Sequence, residues 1–250
     1  MKNLLLVILA LPLLVGCDNV ILPIPDAKFK AYLVGNKDIN RNGDKEIQLR
    51  EARNFNGAIE CIDMNISDLT GIEAFTALTS LFCNNNQLTS LDVSQNTALT
   101  YLGCWNNQLT SLDVSKNTAL TYLGCWDNQL TSLDVSQNNA LTTLYCNNNQ
   151  LTSLDVSQNT ALTYLYFNNN QLTSLNVSQN TALTTLWCEY NQLTSLDVSQ
   201  NTALTTLYCN NNQLTSLDLS QNTALMDLRC LGNNFDCSEF NYTVYDVQGE

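Results

Sequence analysis

Residues 78–98 read LTSLFCNNNQLTSLDVSQNTA, and the same pattern returns with new copies opening at Leu99, Leu120, Leu141, Leu162, Leu183 and Leu204. A partial eighth copy opens at Leu225, and the spacing is 21 residues every time. Leu69–Ala77 reads as a degenerate leading half-copy. Strict self-similarity at this period is the signature of a solenoid, in which each repeat buries its apolar face only by stacking on its neighbours. Within a copy, Leu102 and Cys104 alternate with Tyr101, Gly103 and Trp105, the period-2 pattern of a strand with one face buried. The second half of the copy, LTSLDVSQN, echoes the first, so a second short strand on the opposite side of the coil is expected. Asn86, Asn107, Asn128, Asn149, Asn170, Asn191, Asn212 and Asn233 share one repeat position. An inward asparagine there can satisfy backbone groups that a turn leaves unpaired, each serving the next coil.

The apolar framework L-x-x-L-x-C-x-x-N-x-L-x-x-L-x-V resembles the leucine-rich repeat, and its cysteine variant resembles repeats of bacterial internalins and of surface lipoproteins of Gram-negative bacteria. The resemblance spans residues 58–235. It implies a right-handed leucine-rich-repeat solenoid, mostly β and coil, whose short strands stack into a parallel β-sheet. It also implies a binding scaffold, with the ligand left open because this fold serves many unrelated partners.

Around the repeats, residues 1–16 read as a signal peptide, with Lys2 as the positive start and an apolar run from Leu4 to Val15. Leu14-Val15-Gly16-Cys17 resembles the lipobox of bacterial lipoproteins, which implies acylation of Cys17 and a lipid-anchored linker over residues 17–25. Residues 26–57 form a helical cap, with one amphipathic helix expected from Asp26 to Val34 and Gly35 as its stop. Within it, residues 40–51 follow the EF-hand loop: Asn40, Asn42 and Asp44 fall on positions one, three and five. The Glu46 carbonyl falls on seven, Gln48 on nine and Glu51 on twelve. Asparagine at the first position and Lys45 in place of the turn glycine weaken the pattern, so a structural calcium clip and a plain polar turn both stand. Residues 236–250 close the chain as a C-terminal cap.

Composition excludes several functions. With 10 Lys+Arg against 23 Asp+Glu the net charge is −13, which argues against nucleic acid and against adhesion to anionic lipid. No histidine is present, so a Ser-His-Asp triad, a Cys-His dyad and histidine-based zinc sites are ruled out. No enzyme is expected. Cys83, Cys104, Cys125, Cys146, Cys188, Cys209 and Cys230 occupy one repeat position, with Phe167 in the remaining slot. One thiol per coil in a file cannot surround a metal, and parallel neighbours do not turn toward each other, so the column reads as buried free thiols. Cys237 leaves open a capping disulfide with Cys230.

The outward positions of the first strand vary and are rich in aromatics: Phe82, Tyr101, Trp105, Tyr122, Trp126, Tyr145, Tyr164, Tyr166, Trp187, Tyr190 and Tyr208. This face is expected to bind a protein or glycan partner at the cell surface, because tyrosine and tryptophan dominate interaction hot spots. Cross-strand stacking that stabilises the sheet is the competing account. On the other side, Asp92, Asp113, Asp134, Asp155, Asp197 and Asp218 form a column interrupted by Asn176. These carboxylates are expected to accept hydrogen bonds from turn amides and hydroxyls.

Overall fold

The computed structural model describes residues 19–240. Two helices open it, α1 (Ala27–Gly35) and α2 (Leu49–Asn54). Nine three-residue strands follow: β1 (Ala58–Glu60), β2 (Ser80–Phe82), β3 (Tyr101–Gly103), β4 (Tyr122–Gly124) and β5 (Thr143–Tyr145), then β6 (Tyr164–Tyr166), β7 (Thr185–Trp187), β8 (Thr206–Tyr208) and β9 (Asp227–Arg229). They form one parallel sheet in chain order, with Leu81, Leu102, Leu123, Leu144, Leu165, Leu186, Leu207 and Leu228 in register. Ile59 of β1 and the central leucine of every later strand are fully buried, as are the cysteine or Phe167 two residues on and the valines of the returning half from Val93 to Val198. The core is thus a stack of identical layers along the solenoid.

The first layer is an exception. β1 pairs with β2 as Ile59↔Leu81, an offset of 22 residues, and this sets Cys61 beside Cys83. Cys61 is buried and free, and so extends the cysteine column by one coil at its N-terminal end.

The returning half carries no second strand among the described residues, only an isolated bridge between Asp92 and Asp113. A second asparagine column explains why. Asn96, Asn117, Asn138, Asn159, Asn180, Asn201 and Asn222 are completely buried. Each donates its side-chain amide to two carbonyls; Asn159 Nδ2 reaches Val135 O and Asn138 O, both at 2.9 Å. The same carbonyls accept backbone amides, Asn138 N to Val135 O and Leu141 N to Asn138 O, so this half is bonded as successive turns instead of extending.

At the N-terminal end, Asp26 caps α1 by accepting from the Lys28 and Phe29 amides, and it also accepts from Ser67. Phe29 and Leu33 seal the first layer. The stretch expected to be linker is docked from Val20 onward: Leu22 N donates to Ile47 O and Leu49 N to Val20 O, both at 2.8 Å. At the other end a disulfide joins Cys230 to Cys237, so Cys230 leaves the file of free thiols and closes the last coil instead. Residues 241–250 of the expected C-terminal cap, the signal peptide and Cys17 lie outside the described residues.

Candidate functional site

The outward side chains of the sheet form one continuous ladder of rings. Phe82 packs on Tyr101 (centroids 4.8 Å), Tyr101 on Tyr122 (3.9 Å), Tyr122 edge-on to Tyr145 (5.6 Å), Tyr145 on Tyr166 (4.4 Å), Tyr166 on Trp187 (4.1 Å) and Trp187 on Tyr208 (5.1 Å). The Arg229 guanidinium closes the row 4.1 Å above the Tyr208 ring. A parallel register at about 4.8 Å between strands sets the contacts between identical positions (Tyr101–Tyr122, Tyr145–Tyr166, Tyr166–Trp187 and Trp187–Tyr208), while Phe82–Tyr101 and Tyr122–Tyr145 cross diagonally between two positions of the strand.

The glycines of β3 and β4 belong to the same device. A Cβ on Gly103 would lie 2.5 Å from Trp105 Cζ3, and one on Gly124 2.8 Å from Trp126 Cζ3. Each indole thus fills the space that a side chain would take two residues earlier. The two indoles stack on each other at 4.1 Å, and Trp126 meets Tyr145 edge-on at 6.0 Å. Tryptophan stands two residues after glycine in these copies and nowhere else in the chain, a signal the sequence carried but the columnwise reading missed.

Nine of the eleven aromatic residues singled out have a ring partner; Tyr164 and Tyr190 have none. Tyr164, flanked in register by Thr143 and Thr185, is 42% exposed, and Tyr190 is 53% exposed. Tyr208 is buried and its hydroxyl donates to Asp227. Cross-strand stacking is therefore a fact of the structure, and the two most exposed rings, Tyr164 and Tyr190, are the ones outside the stack.

Tyr190 is also conformationally singular. Its column turns the chain through the left-handed region, with Asn85, Asn106, Asp127, Asn148, Asn169 and Asn211 at φ between 51° and 57°. Asparagine and aspartate tolerate that region; Tyr190 adopts it at φ 54° and bears the steric cost of a bulky side chain there.

Beside Tyr190, Glu189 replaces the asparagine found at 168 and 210 on the flanking coils. Burial pushes the Glu189 carboxyl up to about 7, against the opposing pull of Arg229. Its Oε2 atom is buried without a hydrogen-bond partner.

The remaining expected sites resolve as follows. Burial pushes the thiols of Cys104, Cys146 and Cys209 up to about 12, which keeps them neutral and poorly nucleophilic. Of the aspartate column, Asp113, Asp134, Asp155 and Asp218 each accept the amide of the serine two residues on, and these bonds hold their carboxyls below the usual range. Asn176 makes the same bond to Ser178, so the column is one of turn-forming caps.

In the EF-hand-like loop, Asn40 is buried, donates to Val34 O and Asp44 O, and accepts from Gly43 N. Asn42 donates to Asp44 Oδ2 and Gln48 Oε1, and Gln48 donates to Asp44 Oδ2. Glu51 accepts from the amides of Arg41, Asn42 and Gln48, while the Glu46 carboxylate pairs with Lys30 at 2.6 Å. Among the described residues no group of three or more metal-ligating His, Cys, Asp or Glu side chains occurs.

With this geometry in hand, the relatives of the chain fall into one group. Residues 118–159, 139–180, 160–201 and 181–238 match the family model for paired leucine-rich repeats. A 39-residue stretch, 16% of the chain, is 49% identical to internalin J of Listeria monocytogenes, of which it covers 4%. The functional domain of InlJ from that organism, described as including a cysteine ladder, superposes with a TM-score of 0.67 at 40% identity over 84% of this chain and 51% of that one. Internalin C2 of the same organism shares the fold, with a TM-score of 0.66 at 20% identity over 88% of this chain and 89% of that one. The chain thus spans about half the length of the InlJ domain and a small part of the full internalin J. It is a leucine-rich-repeat protein. More narrowly, its repeats are of the bacterial internalin-like type with a cysteine ladder.

Proposed function

We propose that the chain is an exported bacterial lipoprotein, anchored at the cell envelope through acylated Cys17 and exposed at the outer membrane or cell surface, that holds a protein partner on its aromatic strand face. The observation that carries this reading is the uncovered ring ladder, with Tyr164 and Tyr190 projecting from it into solvent. A sheet face of this size that no other described element covers is an interaction surface in a water-soluble domain.

The same geometry favours protein over glycan. A sugar stacks on a free ring face, and along the ladder most faces are already pressed against the next ring, which leaves Tyr164 and Tyr190 as separate rings rather than a continuous platform. Ring edges and phenol hydroxyls suit a protein surface, where apolar contact and hydrogen bonding alternate. The reading includes no chemistry on a substrate, and the thiols of the core are held neutral. At the N-terminal end, Asn40, Asn42, Asp44, Gln48, Glu51 and the Glu46 carbonyl would hold a structural calcium. What supports it is proximity alone: Asn42 and Gln48 both reach Asp44 Oδ2, and a calcium ion would have to displace those hydrogen bonds.

The test is photo-crosslinking on cells that display the full chain. A photoreactive phenylalanine at position 164 should yield an adduct that protease removes and glycosidase leaves intact. The same group at position 111, on the returning half, should yield none. An adduct only at 111, or one removed only by glycosidase, overturns the reading. Cys17→Ser should release the chain from the membrane fraction.

A further inference from the structure

The net charge of −13 hides an uneven distribution. Residues 26–57 hold seven of the ten Lys+Arg of the chain against five Asp+Glu, whereas residues 58–250 hold two against seventeen. The N-terminal cap is thus the basic end of an acidic molecule. Among the described residues the one ion pair is Lys30–Glu46, so Arg41, Arg50 and Arg53 have no carboxylate partner. Arg41 and Arg50 line a single cavity of about 340 Å³ together with Asn19, Gln48 and Asn54. The cavity is open, since Asn19, Arg41, Arg50 and Asn54 are all exposed. Glu51 is the one carboxylate on its wall, and its oxygens already accept the amides of Arg41, Asn42 and Gln48. The Arg41 guanidinium donates only to Asp38 O, at 3.3 Å, and that of Arg50 to no described residue.

Position on the chain matters as much as charge. The segment after Cys17 is fixed to the cap by the antiparallel bridge Ile21↔Gln48 and by the bonds of Leu22 N to Ile47 O and Leu49 N to Val20 O. Asn19 stands on the cavity wall two residues after Cys17, and two residues of chain span at most about 7 Å. The polar layer on each side of a bilayer is itself about 5–7 Å deep. Acyl chains on Cys17 therefore bring the cavity wall to the headgroups. Val20 and Ile21, 50% and 54% exposed, add apolar surface next to Asn19.

We infer that this cavity takes the phosphate of an anionic phospholipid in the membrane that carries the chain, so that the cap seats on the headgroups and gives the solenoid a fixed base instead of a free tether. The inference rests on the lipoprotein reading above and names the surface through which the anchored chain meets its membrane.

The overall charge does not oppose this seat. Electrostatic repulsion is screened over about 10 Å at 0.1 M salt. The strands follow one another in chain order about 4.8 Å apart, so β9 stands roughly 38 Å from β1. Most of the acidic solenoid is out of reach of a surface that the basic cap touches. Two guanidiniums suit a phosphate, because each presents a planar fork of donors. A zwitterionic headgroup brings its own cation beside them, whereas an anionic headgroup neutralises the pair.

Arginine modification reads the site residue by residue in the acylated full chain. Phenylglyoxal should modify Arg41 and Arg50 about fivefold more slowly in vesicles of equal phosphatidylcholine and phosphatidylglycerol than in dodecyl maltoside micelles. Arg229, on the last strand, should react at the same rate in both. Peptide mass spectrometry gives the rates, with EDTA present so that calcium cannot bridge carboxylate and phosphate. Inorganic phosphate added to the micelles, or vesicles of phosphatidylcholine alone, should protect far less. Equal rates in mixed vesicles and micelles, equal protection of Arg229, or equal protection by inorganic phosphate or by phosphatidylcholine alone overturns the assignment.

A second measurement separates the seat from the anchor. The mature chain made without its signal and with Cys17→Ser has no acyl chains, and at low salt it should sediment with the mixed vesicles in preference to phosphatidylcholine vesicles. Arg41→Gln and Arg50→Gln together should weaken that partition about twenty-five-fold, at about fivefold for each arginine brought to an anionic surface. Lys116→Gln, on the solenoid, should leave it unchanged. Partition that survives the double change overturns the inference. If Cys17 proves to carry no acyl chain in cells while the partition persists, the headgroup site stands and the lipoprotein reading falls. Acylated Cys17 with unprotected Arg41 and Arg50 retains the anchor and discards the site.

Discussion

Replacing Asn128 separates two accounts of what ties one coil to the next. Its amide donates to Cys104 O and Cys125 O, both at 3.1 Å, and to Trp126 O at 3.2 Å; its Oδ1 accepts from Leu109 N at 3.0 Å. The carbonyls are shared. Cys104 O also receives Asn107, Cys125 O receives Asn149, and Trp126 O receives the Asn106 amide. Asn128→Ala therefore leaves only the buried Leu109 N–H without a partner, while three carbonyls each lose one of two donors, for a cost of about 2–3 kcal/mol. Asn128→Asp keeps the shape and the bond to Leu109 but turns a carboxylate oxygen toward three carbonyls. Its cost at pH 7 should be larger, about 4 kcal/mol, because an uncompensated charge is buried.

The pH dependence has a definite sign. The introduced carboxyl has its pKa raised in the folded state above the unfolded value of about 3.9. The folded state then binds the extra proton, so the variant regains stability below about pH 4 and loses it as pH rises through the folded pKa. The parent chain behaves oppositely, since the amide-bonded carboxyls of Asp113, Asp134, Asp155 and Asp218 are held low and contribute less as pH falls. The quantity to follow is thus variant minus parent, from urea unfolding at pH 4 and pH 7. Far-ultraviolet dichroism and tryptophan fluorescence should be fitted separately, because a lesion in mid-array can split the transition. If Asn128→Asp is no worse than Asn128→Ala at pH 7, the donated bonds are not what join the coils.

Other expectations follow from the same geometry. Alkylation after unfolding without reductant should label Cys61, Cys83, Cys104, Cys125, Cys146, Cys188 and Cys209 and spare Cys230 and Cys237, as read by mass spectrometry of peptides. Tyr190→Asn should raise stability by roughly 0.5–1 kcal/mol, because asparagine bears the left-handed backbone at less cost. The same change should weaken partner binding, and a variant that gains neither stability nor a binding defect would remove Tyr190 from the site. Millimolar calcium should raise the thermal midpoint of the full chain by mass action on the folded state, and Glu51→Gln should abolish the rise. No calcium-dependent shift would leave the loop as a hydrogen-bonded turn.

The 21-residue period and the alternation around Leu102 and Cys104 were enough to place every strand from β2 to β9 and to predict the asparagine column from Asn86 to Asn233. What escaped the sequence depended on distance across the coil. Cys61 went unseen because the first coil has 22 residues and breaks the strict count. A second strand was expected because LTSLDVSQN imitates LTYLGCWNN, yet the backbone there closes turns, Asn138 N on Val135 O and Leu141 N on Asn138 O, which buried Asn159 then braces. The ring columns listed the aromatic residues but carried no orientation. Whether Trp187 shows a face or an edge depends on Tyr166 and Tyr208, residues 21 positions away in either direction.

The shared carbonyls have a consequence for how such a chain can change length. Each coil donates the same side-chain bonds to the coil before it and accepts the same set from the coil after it, each valine-bound asparagine reaching back 24 residues every time. Duplicating or deleting a 21-residue cassette between Leu99 and Leu204 regenerates all of those bonds at the new junction and leaves both ends untouched. Length is then the inexpensive variable of this architecture, and a single coil such as the one bearing Glu189 and Tyr190 can diverge while its neighbours hold the frame.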